Sequence, residues 1–325
     1  MSKNILFVSD TPESFDLSKD TTFQLLQSSN KKGFNNYYLQ EGSIALHKNK
    51  ILGTVSKMNI LENDDEWFEL ENTSLQDLNF FDCVMIRKDP PFDLNYYYLT
   101  LILDKLSNRV INSGNILRNF NEKISIFNFK EYITDTIVTS DPDAIINFVK
   151  KHKKCVLKKL NLMGGQEIKF VNSTEDYLNA IKKYTNCGQD IIMVQKWIKE
   201  AEEGDKRIFI VNGQPINEAI IRKPKEDSKI ANIASGGVAV KYTINGYERK
   251  MALEIGSELI KHGAHIIGID VLGEYLTEIN LTSPTCIKEI NNFHNTDICG
   301  LFWDGIFKWV AFWGLITGKK GLGFQ

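Results

Sequence analysis

Short apolar runs alternate with amphipathic stretches along the first third of this chain of 325 residues. The pattern predicts, in order, a strand over Asn4 to Ser9, a helix over Leu17 to Lys32 that ends at Gly33, an extended segment over Phe34 to Gln40, a strand over Asp82 to Arg87, and a helix from about Asn95 to Leu106. Such alternation is typical of a small open α/β sheet, whose ligands approach the carboxyl ends of the strands. The sequence RKDPPFD, residues 87 to 93, stands at one of these ends.

The middle third has a different pattern. It predicts strands over Lys154 to Lys159 and Glu167 to Val171 joined by LNLMGG, a helix over Ser173 to Tyr184 with Ser173 or Thr174 as its N-cap, and a strand over Asp190 to Ile198. These elements indicate a small α+β unit of its own.

The last third opens with a predicted hairpin. Asn212-Gly213 is a strong type I′ turn signal between Ile208 to Val211 and Pro215 to Arg222. The polar loop over residues 223 to 237 is too long for a simple connection, which favours a binding element or a lid. A helix is predicted from about Tyr247 to His262, ending at Gly263, and two apolar runs in IDVLGEYLTEINLTSPT follow it.

Those two apolar runs carry oxygen-bearing side chains. Glu278, Asn280 and Thr282 share one face of the predicted strand. If the preceding turn spans three residues, Gly273 to Tyr275, Asp270 lies opposite Glu278; a two-residue turn puts Asp270 on the other face. Spacing alone leaves two interpretations open. Either the strand is half solvated with ordinary polar residues, or two carboxylates and an amide bind Mg²⁺ beside a phosphate chain, since the carboxylates repel unless something neutralises them.

Two further stretches have the chemistry of a nucleotide site. Lys158 ends a strand just before Gly164 and Gly165, so an ammonium and backbone N–H groups would surround phosphates; a surface hairpin with a flexible tip is the alternative. In VQKWIKE, residues 194 to 200, backbone groups would meet an adenine edge beside Trp197 and Ile198; a buried strand is the alternative.

The sequence EGDKR, residues 203 to 207, stands at the head of a strand. Arg207 facing a phosphate in a bidentate manner is the functional interpretation, and a solvated strand end is the structural one. The histidines show no pattern, and no Ser/His/Asp or Cys/His arrangement can be argued from the sequence. A covalent protein nucleophile is therefore not predicted.

Composition narrows the class of protein. With 39 basic and 41 acidic residues, the net charge of −2 lacks the electrostatic footprint of a general nucleic-acid binder. The five cysteines are odd in number, scattered and without a CxxC spacing, which argues for a reducing compartment and against a zinc site. The start, MSKNILFVSD, lacks the apolar region of a signal peptide, so a cytoplasmic location is predicted.

The apolar stretch from Leu301 to Thr317 resembles a membrane span only superficially. Asp304 and Lys308 interrupt it, and the uninterrupted apolar part is well short of the ~20 residues that a spanning helix needs. The sequence predicts a helix that is buried or faces another subunit, with interfacial membrane contact as the alternative.

Seven motifs, taken in order, resemble the bacterial glutathione synthetases of the ATP-grasp superfamily: MIRKDPPFD, NEKISIF, VLKKLNLMGGQEI, MVQKWI, EGDKR, NIASGG and GIDVLGEYLTEINLTSPTCIKEI. The likeness runs from near residue 5 to about residue 305, and RKDPPFD and LTEINLTSPTCI are its most specific parts. It implies an α/β (α+β) ATP-grasp fold. Its parts would be an N-terminal Rossmann-like open-sheet domain over residues 1–122, a small central lid domain over 123–200, and a C-terminal sheet domain with the metal and substrate site over 201–325.

The resemblance also implies an activity. It indicates an ATP-dependent ligase that joins the cysteinyl carboxylate of γ-glutamylcysteine to the amine of glycine through an acyl phosphate, with Mg²⁺ or Mn²⁺ as the cofactor. Its partners would be ATP and these two small molecules, with no nucleic acid and no membrane, in a homo-oligomer. Catalysis of this kind rests on positioning and charge neutralisation.

Residue roles carry over with the motifs. The resemblance implies that the nucleotide is held by Lys123 and Lys158 at the phosphates, Gly164 and Gly165 in a glycine-rich lid, Gln195, Trp197 and Ile198 around adenine, and Asp205 at the ribose. It implies that the metal is held by Asp270, Glu278 and Asn280. It implies that Arg207 stabilises the acyl phosphate and that the substrate is held by Arg87, Asn232, Ser283 and Thr285.

The chain departs from the family pattern in its loops. The family has a further Gly where this chain has Leu162, and an Asp where it has Asn161. The long loop reads Arg-Gly-Asn and Gly-Gly-Arg in the family, but here it is Ile230-Ala231-Asn232 and Gly236-Gly237-Val238, with Lys229 and Lys241 nearby. Two arginines that would contact the transition state are missing, and such a contact is worth on the order of 3 kcal/mol.

Three hypotheses follow from these departures. The first is a glutathione synthetase with an altered lid, and the second is an ATP-grasp ligase that joins another carboxylate and amine. The third is a non-catalytic nucleotide-binding regulator. Against the third stands the complete set of Asp270, Glu278 and Asn280 together with Lys123, Lys158 and Arg207, which a degenerate binder has no need to keep.

Overall fold

Three sheets succeed one another along the chain, each the centre of one unit. The structure is a computed structural model that describes residues 2–40, 42–63, 66–161, 168–174, 177–223 and 237–317, with side chains as far as 307. Gly164, Gly165 and Asn232, to which the sequence assigns lid and substrate roles, lie outside the described residues.

The N-terminal unit contains the strands β1 (Asn4–Ser9), β2 (Asn35–Leu39), β3 (Ala45–His47), β4 (Lys50–Ile60), β5 (Phe68–Leu70), β6 (Ser74–Asp77), β7 (Cys83–Arg87) and β8 (Arg109–Ile111), and the helices α1 (Thr21–Lys31), α2 (Leu94–Leu103) and α3 (Gly114–Asn119). The sheet follows the order β3-β4-β2-β1-β7-β8, with β5 and β6 also paired to β4. The strands β2, β1, β7 and β8 are parallel, so their carboxyl ends, including Arg87, meet at one edge.

The helices of this unit start at their capping residues. The side chain of Asp20 accepts a hydrogen bond from the backbone N–H of Phe23 at 3.0 Å, so α1 begins at Thr21 and not at Leu17 as the apolar pattern predicted. Asp93 caps α2 in the same way through the N–H of Tyr96 at 2.8 Å. The caps, and not the apolar spacing, therefore determine where these helices begin.

The central unit contains β9 (Thr136–Thr139), α4 (Pro142–His152), β10 (Lys154–Lys159), β11 (Ile168–Asn172), α5 (Leu178–Tyr184) and β12 (Ile192–Lys196). Its antiparallel sheet follows the order β11-β10-β12-β9. The helix predicted from Ser173 begins only at Leu178, because the N–H of Ser173 extends the hairpin by bonding to the carbonyl of Lys153 at 2.7 Å. The strand predicted from Asp190 begins at Ile192, because the N–H of Asp190 bonds to the carbonyl of Thr185 at the end of α5.

The C-terminal unit contains β13 (Asp205–Val211), β14 (Gln214–Pro215), β15 (Glu218–Lys223), β16 (Val238–Thr243), α6 (Gly246–Leu259), β17 (Ile266–Leu272), β18 (Tyr275–Asn280), α7 (Ile287–His294) and α8 (Ile298–Thr317). Its sheet follows the order β16-β15-β13-β17-β18, with β14 also paired to β13. The predicted turn at Asn212-Gly213 is confirmed, and both residues have the positive φ that a type I′ turn requires.

Helix α8 ties the last unit to the first. Phe302, Trp303 and Ile306 are buried, and the indole N–H of Trp303 donates to the carbonyl of Leu25 in α1 at 3.1 Å. The prediction of a buried helix is confirmed for this part of the tail. Among the described residues, no helix is long and apolar enough to span a membrane.

Candidate active site

The hairpin of β17 and β18 brings Asp270 and Glu278 opposite each other by a route that the sequence did not predict. Its turn has two residues, Gly273 and Glu274, since Leu272 pairs with Tyr275. A β-bulge next to Asp270 shifts the register by one, so that Thr277 is the extra residue and Asp270 faces Glu278. The sequence left both turn lengths open and placed the two acids opposite each other only for a three-residue turn; the structure has the two-residue turn, and the bulge restores the facing.

A row of charged residues crosses this face of the sheet. Arg207 pairs with Asp270 across β13 and β17, and Asp205 pairs with Arg222 across β13 and β15. Opposite residues of neighbouring strands share a face, so these four side chains and Glu278 lie on one side of four adjacent strands.

Direct ion pairs join the members of this row. The guanidinium of Arg207 binds Asp270 through two hydrogen bonds, Nε to Oδ1 at 2.7 Å and Nη2 to Oδ2 at 3.2 Å. Arg222 binds both oxygens of Asp205 and also reaches Oδ2 of Asp270 at 2.9 Å. The predicted metal ligand Asp270 thus has two arginine partners, and the predicted ribose contact Asp205 is engaged by Arg222.

Burial and charge oppose each other at these groups. Burial by itself would raise the pKa of Asp270, but the guanidinium groups of Arg207 and Arg222 outweigh it and hold that pKa well below its ordinary value. Burial lowers the pKa of Arg222, yet the carboxylates of Asp205 and Asp270 raise it well above its ordinary value. The pKa of Asp205 is raised, chiefly because the carboxylate is buried, although the guanidinium of Arg222 acts in the opposite direction.

Glu278 has a different partner. The ammonium of Lys123 lies 3.0 Å from its Oε1, and Lys123 is buried while Glu278 is partly exposed. Lys123 is held in place by the residue before it: the carboxylate of Glu122 accepts hydrogen bonds from the backbone N–H groups of Leu281 and Thr282 at 2.7 and 2.9 Å. These hydrogen bonds fix the segment after α3 that carries Lys123 to the end of β18.

The residues present fit a hard divalent cation. The amide nitrogen of Asn280 donates to the carbonyl of Gly268 at 3.2 Å, which leaves the amide oxygen as the atom available to a metal. Asn280 pairs with Gly268 and Glu278 with Asp270, so three oxygen-bearing side chains stand next to one another on two strands. Among the described residues, no group of three or more His, Cys, Asp or Glu side chains is arranged to hold a metal ion. The candidate ligands here are two carboxylates and one amide.

The predicted nucleotide residues of the central unit come together. The ammonium of Lys158 donates to Oε1 of Gln195 at 2.7 Å, and burial, together with the nearby charge of Lys123, lowers the pKa of Lys158. The amide nitrogen of Gln195 is buried and has no hydrogen-bond partner within the described part of the chain. Ile198 is buried, and the ring of Trp197 packs edge-on against Phe170 with centroids 5.1 Å apart. The hydrogen-bond acceptor of the Lys158 ammonium is the neutral amide of Gln195. A buried positive charge next to a neutral group favours the binding of an anionic ligand.

The predicted substrate residues lie where the first and third units meet. Arg87 is 2% exposed and donates from Nε to the hydroxyl of Thr22 at 3.2 Å and from Nη2 to the carbonyl of Pro284 at 3.3 Å. The hydroxyl of Ser283 donates to the carboxylate of Asp89. The carbonyl of Thr285 accepts a hydrogen bond from Nη1 of Arg207 at 3.0 Å. The loop after β18 therefore connects Arg87 to Arg207.

Sequence reasoning missed three residues of this region. Arg222 ends a strand before a polar loop, where a surface arginine is the ordinary expectation, and Glu122 is adjacent to a lysine that itself attracted the functional interpretation. Asn112 follows β8 and ties together the two ends of the β17–β18 hairpin. Its side-chain amide donates hydrogen bonds to the carbonyl of Ile266 at 2.8 Å and to that of Leu281 at 2.7 Å. For Arg222, its register opposite Asp205 is the signal that would have found it.

The fold has counterparts among solved structures. A solved structure described as a RiPP-associated ATP-grasp ligase from Chryseobacterium gregarium, in complex with ADP and a leader and core peptide, superposes with a TM-score of 0.63. The superposition covers 94% of this chain and 97% of that one at 16% identity, which establishes the fold alone. The chain has the ATP-grasp fold.

The sequence comparisons identify the family. Residues 4–118 match the family described as prokaryotic glutathione synthetase, N-terminal domain, and residues 122–295 match the ATP-grasp domain of the same enzymes. A glutathione synthetase from Shewanella oneidensis is 35% identical over 92% of this chain and 96% of its own length. One from Nitrosomonas europaea is 33% identical over 94% and 98%. The chain belongs to the prokaryotic glutathione synthetase family.

Proposed function

We propose that the protein joins γ-glutamylcysteine to glycine with cleavage of ATP to ADP and phosphate. The observation that carries the proposal is the row of paired charges across β15, β13, β17 and β18, next to the amide of Asn280 and the ammonium of Lys123. The row provides the cations and oxygen ligands that phosphoryl transfer to a carboxylate requires, on one face of a rigid sheet.

The first step forms an acyl phosphate. An oxygen of the cysteinyl carboxylate attacks the γ-phosphorus of ATP, the bond from that phosphorus to the bridging oxygen breaks, and ADP leaves. Lys123 and Lys158 would neutralise the nucleotide phosphates, since both ammonium groups stand at the edge of the site, where Lys123 contacts Glu278 and Lys158 donates to Gln195. A preorganised cation stabilises the transition state because it need not be reoriented.

The second step forms the amide. The glycine nitrogen attacks the acyl carbon, and the carbon–oxygen bond to phosphate breaks, so that phosphate leaves with the original carboxylate oxygen and the amine loses a proton. Arg207 would stabilise the negative charge that develops on the acyl oxygen, because Asp270 and the carbonyl of Thr285 fix its guanidinium in one orientation. Removal of such a donor costs on the order of 3 kcal/mol in the transition state.

The metal would be Mg²⁺ or Mn²⁺, held by Glu278, Asn280 and Asp270. When bound, it neutralises charge on the phosphate chain. Glu278 would then share its oxygens between the cation and Lys123. Asp270 would share its oxygens with Arg207 and Arg222.

We further infer a cytoplasmic location and a homo-oligomeric state, with small molecules as the only substrates. The free thiols among the described residues, Cys83, Cys155, Cys187, Cys286 and Cys299, are consistent with a reducing compartment. Light scattering coupled to gel filtration measures the oligomeric state directly, and a mass equal to one chain of 37.1 kDa contradicts the homo-oligomer.

The function is tested by product identification. The purified protein is mixed with ATP, Mg²⁺, γ-glutamylcysteine and glycine, and ADP and glutathione are followed by mass spectrometry. We expect stoichiometric ADP and glutathione, a loss of both in Glu278→Gln, and no change in Glu274→Gln, which alters an exposed acid of the same hairpin.

The other hypotheses give different results in the same assay. ADP without glutathione indicates an ATP-grasp ligase for another carboxylate and amine. Binding of ATP with no turnover of any kind contradicts the ligase and supports the nucleotide-binding regulator.

A further inference from the structure

The three units of the chain meet at segment 120–123, which follows α3. A cavity of about 150 Å³ beside this segment is lined by residues of every unit, among them Pro90, Leu160 and Thr282 in chain order. Two residues of the segment, Asn121 and Glu122, form hydrogen bonds with different units. The segment therefore connects parts of the site that lie on separate sheets.

Glu122 joins the segment to the C-terminal unit through its main chain and its side chain. Its carbonyl accepts a hydrogen bond from the N–H of Ile279 in β18 at 2.8 Å. One oxygen of its carboxylate accepts three more, from the N–H groups of Leu281 and Thr282 at 2.7 and 2.9 Å and from the hydroxyl of Thr282 at 2.9 Å. These bonds hold the next residue, Lys123, beside the strand of the proposed metal ligands.

Asn121 joins the same segment to the central unit. Its amide nitrogen donates to the carbonyl of Leu160 at 3.1 Å, and Leu160 stands two residues after Lys158. Its amide oxygen accepts from the N–H groups of Lys123 and Ile124, both at 3.1 Å. The two ends of one amide group therefore connect the backbone of Lys123 to the strand that carries Lys158.

The two ammonium groups are near enough to influence each other. Burial lowers the pKa of Lys158 and the charge of Lys123 acts in the same direction, while the carboxylate of Glu278 opposes both. Like charges at close range repel, so they stay together without an anion only if the protein fixes them. Fixing them before the nucleotide binds removes the cost of bringing them together afterwards.

We propose that Asn121 and Glu122 are positioning residues that set the separation of the two ammonium groups at the nucleotide phosphates. Glu122 would place Lys123, and Asn121 would place Lys158 relative to it. The inference rests on the proposed function, in which both lysines neutralise phosphates. It gives a role to two residues to which neither the family motifs nor the comparisons assign one, and each acts through its lysine and not by touching the nucleotide.

The test is a set of double-mutant cycles with nucleotide binding as the measurement. Isothermal titration calorimetry gives the dissociation constant of β,γ-imido-ATP with Mg²⁺, which requires no ligase activity. Asn121→Ser keeps an oxygen for the N–H groups but is too short to reach Leu160, and we expect it to weaken binding about fivefold. In Lys158→Met the same change should matter less than about twofold, whereas in Lys123→Met it should keep its full effect.

Glu122→Ala should give the opposite pattern. We expect it to weaken binding about tenfold or more in the wild type and in Lys158→Met, because it releases the segment from β18, and to matter little in Lys123→Met. Glu122→Gln keeps an oxygen acceptor and should retain most of the affinity. If Glu122→Ala does not fold, the cycles of Asn121→Ser decide the inference.

Matched controls make the same changes at exposed positions nearby. Asn119→Ser and Glu131→Ala should leave binding unchanged. Additive effects in every cycle overturn the inference, since they show that neither residue acts through a lysine. Coupling as expected in a protein that makes no glutathione upholds the positioning of the lysines and overturns the proposed function alone.

Discussion

At the residue scale, the site depends on how each buried charge is neutralised. Asp270 forms ion pairs with Arg207 and Arg222, and Asp205 forms one with Arg222. A buried ion pair contributes little net stability, but loss of one member leaves an uncompensated charge that is costly. Loss of the Arg222 guanidinium is therefore expected to destabilise the folded protein.

Replacement of Arg222 should show this dependence. Arg222→Met leaves the carboxylate of Asp205 without its cation, so we expect the free energy of unfolding to fall by about 3–5 kcal/mol. Urea unfolding measures the change. The double variant Arg222→Met, Asp205→Asn should recover more than half of the loss, and a single variant that costs less than about 1 kcal/mol would contradict the account.

His265 predicts a specific pH dependence of stability. Burial, with a smaller effect of the charge of Arg109, lowers its pKa from 6.5 to about 4. The unfolded chain therefore binds a proton between these values that the folded protein does not, so stability is full above pH 6.5 and falls as the pH drops toward 4. We expect this group to cost about 2 kcal/mol between pH 7 and pH 5.

Denaturant unfolding at several pH values measures this contribution. His265→Gln keeps a hydrogen-bonding group beside Asn212 and cannot titrate, so its stability should vary less between pH 7 and pH 5. If the free energy of unfolding falls equally between pH 7 and pH 5 in the variant and the wild type, His265 is not the group responsible.

At the element scale, the hairpin of β17 and β18 is positioned from outside its own unit. Asn112, which follows β8, is buried, and its side-chain amide takes part in four hydrogen bonds. It accepts from the backbone N–H groups of His265 and Ile266 and donates to the carbonyls of Ile266 and Leu281. These contacts join the start of β17 to the end of β18 and fix both against the N-terminal sheet.

Asn112→Ala should therefore impair both stability and catalysis. It leaves several buried backbone groups unpaired, which we expect to cost at least about 3 kcal/mol, and it loosens the strands that carry Asp270 and Asn280, so kcat/KM should fall about tenfold or more at saturating Mg²⁺. The matched control is Asn108→Ala, since Asn108 donates to two carbonyls within the N-terminal unit only. If both variants keep wild-type kcat/KM, Asn112 is a structural residue without a positioning role.

Particular residues show how far the sequence could predict the site. The motifs NEK and LTEIN singled out Lys123 and Glu278, and the structure brings these two side chains into contact. The sequence tied the facing of Asp270 and Glu278 to a three-residue turn, whereas the structure reaches it through a two-residue turn and a bulge, which leaves little trace in sequence. Arg222 was missed because only the register of β13 with β15, a contact between distant segments, shows its partner.

At the scale of the whole molecule, the first and last units share an interior. The core cluster around Trp303 contains residues of the first and last units, among them Phe7 and Phe209. The ring of Trp303 packs edge-on against Phe7 at 6.3 Å and Phe34 at 6.0 Å. The apolar stretch from Leu301 to Thr317 predicted a helix that is buried or faces another subunit, but not that it would pack on α1, because nothing local in the sequence specifies which surface a helix covers.

Loss of the Trp303 side chain should destabilise the whole protein. Trp303→Ala should lower the free energy of unfolding by about 3–5 kcal/mol, because it removes a fully buried side chain and the bond to the carbonyl of Leu25. Leu301→Ala on the same helix alters a residue that is 52% exposed and should cost less than about 1 kcal/mol. Thermal unfolding compares the two, and equal losses would contradict the proposed packing.

The central claim is that the protein activates the carboxylate of γ-glutamylcysteine as an acyl phosphate. Isotope transfer tests it most directly: γ-glutamylcysteine labelled with ¹⁸O in the cysteinyl carboxylate is incubated with ATP, Mg²⁺ and glycine, and the phosphate is analysed by mass spectrometry. The account predicts one ¹⁸O in phosphate for each glutathione formed, since the phosphate leaves with a carboxylate oxygen. Unlabelled phosphate alongside glutathione would contradict the mechanism, and release of phosphate without glutathione would contradict the function.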